Sequence, residues 1–278
     1  MKRLCVIFSL LCGVGSAEQE SHLITIEPTG EIERAELFVW KPEGKLKAAM
    51  IFCPGHNGSG ESFVNNSDWR TFAAQNRIAL VGLSFASPIR LTKQGKGYSH
   101  VERESGKILL AAIEKEFGRN NLPLLFYGYS AGARFSTSFL AWKPERVLSW
   151  CASGVGTWPD LPVAKEVTPG IVACGEFDAA CYWSSLNYFQ MGRKKGYPWA
   201  WISLAEIGHQ QSQKLDDFVR AYFELVLSGA KVRFDEKKFD IATSRPVSST
   251  EPEQWEIFLS CLPANQALSE RWLKIHYP

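Results

Sequence analysis

The sequence predicts an α/β protein in which a mostly parallel sheet of eight strands carries helices on both faces. Three observations predict it: a series of short apolar runs, amphipathic helical segments between most of them, and a glycine-flanked serine where one strand meets a helix. Parallel strands need such helical crossovers, and strands covered on both faces appear as nearly continuous apolar runs.

The predicted strands, in chain order, are HLITIEP, RAELFVW, KAAMIFC, IALVGLSF, LPLLFYG, RVLSWCASG, PGIVACGEFD and WAWISLAEIG. The first two alternate apolar and polar residues, whereas the third is apolar almost throughout. The predicted helices are DWRTFAAQNR, HVERESGKILLAAIEKEFG, AGARFSTSFLAWKPE, YWSSLNYFQMGRKKG and HQQSQKLDDFVRAYFELVLSG. Gly118 and Pro144 mark the ends of the second and third helices, because both residues commonly terminate helices.

Three regions are predicted along the chain: residues 1–17, 18–230 and 231–278. In the first, Lys2 and Arg3 precede a short apolar stretch and a small-residue cleavage site, the pattern of an export signal. We therefore expect a secreted or periplasmic protein, and no later apolar run is long enough for a membrane helix. The last region is interpreted as an extension packed on the main domain, with helical faces in WEIFLSCL and ERWLKI. A flexible tail is the alternative.

The charge balance argues against a nucleic-acid partner, and the cysteine and histidine spacing argues against a metal site. The 31 basic residues nearly balance the 29 acidic ones, which argues against nucleic acid as a partner. No paired cysteine or histidine spacing suggests a metal. Beyond residue 17, Cys53, Cys151 and Cys174 lie in apolar runs and are expected to be buried. Cys181 and Cys261 are the better candidates for a disulfide, although the pairing stays open.

The segment GYSAG suggests a nucleophilic serine. Ser130 directly follows a predicted strand and precedes a helix, and the glycines at 128 and 132 fit a turn too tight for side chains. The N–H of Ala131 at the helix start is a candidate oxyanion donor, and the backbone N–H of His56 in the glycine-rich loop after the third strand is the second. The alternative is an ordinary serine in a loop.

A serine nucleophile needs a base, and the base needs an orienting acid. His209 is the candidate base because it follows the eighth strand, at the edge where Ser130 lies. The acid should follow the seventh strand, where Asp178 is favoured over Glu176, and Asp160 is the more distant alternative.

These residues resemble the α/β-hydrolase superfamily, whose members place serine, acid and histidine in this order after the corresponding strands. The resemblance covers about residues 21–229 and implies the α/β-hydrolase fold, with residues 18–230 as the catalytic domain. Within the superfamily the chain is most similar to secreted esterases of the polyhydroxybutyrate-depolymerase and feruloyl-esterase group. Many relatives carry His-Gly in the oxyanion loop, where this chain has Pro54-Gly55.

The leading functional expectation is a serine ester hydrolase that needs no cofactor and acts on small or carbohydrate-linked acyl esters. A serine peptidase and a non-catalytic carbohydrate- or peptide-binding module are the alternatives. Trp158, Tyr182 and Trp183 flank the expected cleft and are candidate substrate contacts. The oligomeric state is left open.

Overall fold

The computed structural model describes residues 20–163, 168–240, 245–246 and 259–276. One sheet has eight strands in the order β1-β2-β4-β3-β5-β6-β7-β8. Their bounds are β1 His22–Ile26, β2 Arg34–Trp40, β3 Ala48–Cys53, β4 Ile78–Ala86, β5 Leu124–Tyr129, β6 Val147–Ser153, β7 Gly170–Gly175 and β8 Trp199–Leu204. Strand β2 pairs antiparallel with β1 and β4, and the strands from β3 onward run parallel. The predicted fold class is confirmed.

Helices cover both faces of this sheet. Their bounds are α1 Glu61–Val64, α2 Ser67–Asn76, α3 Ile89–Lys93, α4 Ser105–Phe117, α5 Ala131–Trp142, α6 Tyr182–Lys194, α7 Gln213–Leu227 and α8 Gln266–His276. Helix α4 ends at Gly118, whose positive φ of 62° suits a residue without a side chain. The short helices α1 and α3 were not predicted, because a single helical turn has no readable periodicity.

Alternation along the central strands divides the core into two halves. In β3, Ile51 and its second neighbours face one apolar cluster, whereas Met50 and Phe52 face the other. Helices α4, α5 and α6 cover the first cluster, and α2, α7 and α8 cover the second. Because both faces are buried, β3 to β8 contain almost only apolar and small residues, which is why they could be recognised as strands.

The C-terminal region contributes helix α8 and a second, small sheet. In this sheet β9 Phe234–Asp240 lies between β10 Arg245–Pro246 and β11 Leu259–Pro263. Helix α8, which contains ERWLKI, buries Trp272 beside β8, where its indole N–H donates to the carbonyl of Trp201 at 2.9 Å.

The helical interpretation of WEIFLSCL was wrong where the structure describes it, since β11 begins at Leu259. Pro263 disfavours helical geometry in the residue before it, and pairing with β9 satisfies the backbone instead. Residues 255–258 of that segment and the predicted export signal at 1–17 lie outside the described residues. Within the described residues, no helix combines the length and the apolar character that crossing a membrane would require.

Candidate active site

Ser130 lies on a sharp turn between β5 and α5. Its backbone has φ 53° and ψ −122°, a left-handed conformation that costs energy for a residue with a side chain. Two hydrogen bonds hold the turn: the N–H of Ser130 donates to the carbonyl of Ser153 at 2.9 Å, and the N–H of Arg134 donates to that of Ser130 at 3.1 Å. The neighbouring strand β6 and the first turn of α5 therefore stabilise a backbone that would not form alone.

The glycines on either side of Ser130 allow close backbone approaches. A Cβ at Gly128 would come within 2.5 Å of the carbonyl oxygen of Gly132, and a Cβ at Gly132 would overlap the carbonyl of Cys53 at the end of β3. The first collision is the crowding within the turn that the sequence predicted. The second involves a neighbouring strand, which the sequence alone did not indicate.

The imidazole of His209 reaches Ser130 from the loop after β8. Its Nε2 lies 3.0 Å from Ser130 Oγ, and its Nδ1 lies 2.6 Å from Asp178 Oδ2. An ionised carboxylate only accepts hydrogen bonds, so Nδ1 donates to Asp178 and the Nε2 lone pair faces the serine hydroxyl. The imidazole side chain is 43% exposed, which leaves it open to a substrate.

Of the three candidate acids, the structure brings Asp178 to the histidine. Asp178 is only 4% exposed, and its N–H donates to the carbonyl of Gly175 at 3.1 Å in the turn that ends β7. Glu176 points elsewhere and accepts a hydrogen bond from the Ser203 hydroxyl at 3.1 Å. Asp160 is exposed on the loop after β6. The side chains of Ser130, His209 and Asp178 thus form one continuous hydrogen-bonded chain.

The loop that contains His56 lies beside Ser130. A Cβ placed on Gly55 would be 3.8 Å from the Cβ of Ser130. Within the described part of the chain, the backbone N–H groups of His56 and Ala131 have no hydrogen-bond partner. Both predicted oxyanion donors are therefore available to a ligand next to the serine.

This loop is held by contacts that sequence reasoning missed. Asn57 has a positive φ of 55°, and its N–H donates to the Tyr98 hydroxyl at 3.2 Å. The Asn57 side chain exchanges two hydrogen bonds with the backbone of Ser87, and Arg34 donates to the Asn57 carbonyl at 2.7 Å. The sequence predicted a glycine-rich loop here, but nothing in it indicated these distant partners.

Two thiols lie next to the carboxylate. Cys174 Sγ is 3.8 Å from Asp178 Oδ2, and Cys181 Sγ is 3.8 Å from His209 Nδ1. Burial, with the nearby Asp178 charge as the second cause, raises the pKa of each thiol to about 12. Cys181 was one of the two better candidates for a disulfide, but its thiol is free and is buried next to the site. The thiols of Cys53, Cys151 and Cys174 are also free and buried.

Donor atoms of Asp178, Cys181 and His209 all lie within 4.8 Å of one another, which makes them the candidate metal ligands among the described residues.

The three aromatic residues proposed as substrate contacts differ in exposure. Trp183 is 71% exposed at the start of α6. Tyr182 packs inward, edge-on to Trp201 and with its hydroxyl 3.2 Å from that of Ser203. Trp158 stacks on Tyr188 and lines a cavity of about 550 Å³ beside α5. Of the three, Trp183 offers the most surface to a ligand.

No protein-family model matches the sequence, and comparison with curated proteins gives no match. Solved structures do match. S-formylglutathione hydrolase from Staphylococcus aureus is 10% identical with a TM-score of 0.56, over 76% of this chain and 100% of that one. A hyperthermophilic esterase from Pyrobaculum calidifontis is 14% identical with a TM-score of 0.55, over 76% and 86%. The poly(3-hydroxybutyrate) depolymerase LpqC from Bordetella parapertussis is 14% identical with a TM-score of 0.53, over 74% and 90%.

At these identities the likeness concerns the fold alone. The parallel strands from β3 onward, the helices on both faces and the serine turn after β5 are the features of that fold that the structure contains. By its architecture and by these comparisons, the chain has the α/β-hydrolase fold.

Proposed function

We propose that this protein is a carboxylic ester hydrolase in which Ser130 is the nucleophile, His209 the base and Asp178 the orienting acid. One observation carries the proposal: the hydrogen-bonded chain from Asp178 through His209 to Ser130, on a strained turn that exposes the serine. A strained backbone is retained where the surrounding structure holds it, and such positions cluster at active sites.

In the proposed reaction, His209 Nε2 accepts the proton of Ser130 as Oγ attacks the acyl carbon of an ester. Asp178 keeps the imidazole in the tautomer with its proton on Nδ1 and stabilises the imidazolium that forms. The N–H groups of His56 and Ala131 stabilise the developing oxyanion. The imidazolium then gives its proton to the leaving alcohol, and water, activated by the same imidazole, releases the acid from Ser130.

Most names of similar structures favour ester over amide bonds, since they include an esterase, a polyester depolymerase and a thioester hydrolase, whereas one, poly(aspartic acid) hydrolase-1 from Sphingomonas sp. KT-1, names a polyamide. Small or carbohydrate-linked acyl esters are the proposed substrates, with the exposed Trp183 as a stacking surface. Export from the cytoplasm is also proposed, from the signal-like pattern of residues 1–17.

The test combines labelling with turnover. A fluorophosphonate probe should modify Ser130 in the wild-type protein and fail to label Ser130→Ala. Ser138→Ala, which removes a buried hydroxyl further along α5, is the matched control and should label normally. Hydrolysis of p-nitrophenyl acetate should fall by about 10⁴-fold or more in Ser130→Ala.

Two outcomes would redirect the assignment. Faster hydrolysis of aminoacyl nitroanilides than of any p-nitrophenyl ester would indicate a peptidase. A folded wild-type protein that neither takes the probe nor hydrolyses esters would indicate a binding module on this scaffold.

A further inference from the structure

A tight turn brings a thiol to the acid–histidine pair. The N–H of Cys181 donates to the carbonyl of Asp178 at 3.0 Å, so the two residues lie three positions apart across one turn. Both side chains are buried, and Cys181 Sγ lies 3.8 Å from His209 Nδ1. The proposed reaction uses the carboxylate and the imidazole but has no task for this thiol.

Sulfur, nitrogen and oxygen donors converge here. The Cys181 sulfur, an imidazole nitrogen of His209 and a carboxylate oxygen of Asp178 all lie within 4.8 Å of one another. Zinc binds this donor set at about 2.0 to 2.3 Å in tetrahedral geometry, which puts neighbouring donors about 3.3 to 3.7 Å apart. Magnesium and calcium prefer oxygen donors and do not suit a thiolate.

Of the two separations that involve His209 Nδ1, only one needs a substantial change. Cys181 Sγ and His209 Nδ1 are already 3.8 Å apart, whereas Nδ1 and Asp178 Oδ2 are 2.6 Å apart and would have to separate by about 0.7 Å. The imidazole is 43% exposed and is carried by a loop, so it can move outward while the buried carboxylate stays in place.

We infer that Cys181, His209 and Asp178 form an inhibitory site for a thiophilic divalent cation of the zinc type. On binding, the Cys181 thiol releases its proton to solvent and the sulfur ligates as thiolate. The Nδ1 proton of His209 moves by way of solvent to Nε2, so that Nδ1 ligates the ion. No electrons are transferred, and the fourth coordination position is filled by water.

Inhibition follows from the change of tautomer and rests on the proposed function. With its proton on Nε2, the imidazole points a donor at Ser130 Oγ and no longer offers a lone pair for the serine proton. The ion also binds the Asp178 carboxylate, which otherwise orients the imidazole ring. Zinc should therefore lower turnover by removing the base, without entering the substrate cleft.

The experiment titrates metal-free protein with Zn²⁺, with Mg²⁺ as the comparison, and measures p-nitrophenyl acetate turnover relative to the same variant without metal. We expect saturable inhibition by Zn²⁺, reversal by EDTA and none by Mg²⁺. Cys181→Ser should need at least about ten-fold more Zn²⁺ for half inhibition. Cys151→Ser, a buried thiol within strand β6, is the matched control and should respond as wild type.

A second measurement keeps the metal site testable even if the protein does not hydrolyse esters. Co²⁺ added to Ser130→Ala should produce the charge-transfer absorption of a cobalt–thiolate bond at one ion per chain. Adding Cys181→Ser to the same protein should abolish this absorption. Unchanged zinc sensitivity in Cys181→Ser, or no thiolate band in the Ser130→Ala protein, would overturn the inference. The same loss of sensitivity in Cys151→Ser would overturn it as well.

Discussion

Replacing Asp178 with asparagine is the sharpest test of the acid assignment. Asp178 is buried, and its Oδ2 accepts the Nδ1–H of His209 at 2.6 Å. If the new amide group faces Nδ1, that nitrogen must accept, and the imidazole proton moves to Nε2, which lies 3.0 Å from Ser130 Oγ. If the amide oxygen faces Nδ1 instead, the tautomer survives but the charge that stabilises the imidazolium is lost.

We therefore expect turnover of Asp178→Asn to fall by about 10⁴-fold, equivalent to about 5 kcal/mol of transition-state stabilisation. The assay is the initial rate on one small ester, with circular dichroism to verify folding. Glu176→Gln and Asp160→Asn are matched controls and should stay within about ten-fold of wild type, because neither carboxylate contacts His209. Near-normal turnover in Asp178→Asn, together with a strong loss of turnover in Glu176→Gln, would refute the assignment of Asp178 as the acid.

Three further predictions concern stability and loop placement. Burial raises the pKa of Asp216 from 3.8 to about 6. The contribution of this shift to the unfolding free energy is therefore fully present below about pH 4 and is lost as the pH rises through about 6. The unfolding free energy of the wild-type protein should therefore fall between about pH 4 and 7, and in Asp216→Asn, which still accepts from Tyr127, urea titrations should show a fall smaller by about 3 kcal/mol. An unchanged fall would contradict this. Gly175→Ala should have a larger effect on ester turnover than on thermal stability, because its Cβ would displace the loop before His209. Gly30→Ala, whose Cβ would lie in open space, should change neither turnover nor thermal stability. Gly132→Ala should cost about 3 kcal/mol or more of stability by thermal unfolding, since its Cβ would overlap a backbone carbonyl of β3, and a normal melting temperature would argue against this packing.

Much of the fold could be predicted because burial on both faces leaves a readable pattern. The run AAMIFC became β3, and Gly118 ended α4 as its position suggested. The site residues could be located because Ser130 directly follows β5, and Asp178 and His209 lie in the loops that follow β7 and β8. The carboxyl ends of parallel strands meet at one edge. For the acid, the distance from the end of β7 favoured Asp178, and that residue is the one that meets His209.

Other features depend on contacts between distant segments and left no local signal. The hydrogen bond from Asn57 to Tyr98 joins residues 41 positions apart, and the pattern near either residue does not indicate the other. The spacing of Asp178 and Cys181 can be read from the sequence. Whether the Cys181 thiol meets a histidine depends on where the loop after β8 returns. Strand β11 was misread as helical because short apolar runs do not distinguish the two structures without a pairing partner.

The order of strands explains why that returning loop determines the site. Ser130 follows β5 and His209 follows β8, so three strand spacings, about 14 Å, separate the two strands. That is further than a serine and a histidine side chain joined by one hydrogen bond can span, so the loop backbone must cross back over the sheet edge. The loop crosses at Gly175, where a Cβ would lie 2.5 Å from the carbonyl oxygen of Gly208. The imidazole of His209 then lies over Gly154, where a Cβ would be 3.4 Å from His209 Cε1. The absence of side chains at the ends of β6 and β7 thus lets the loop lie low enough for His209 to meet the acid of β7 and the serine of β5 together.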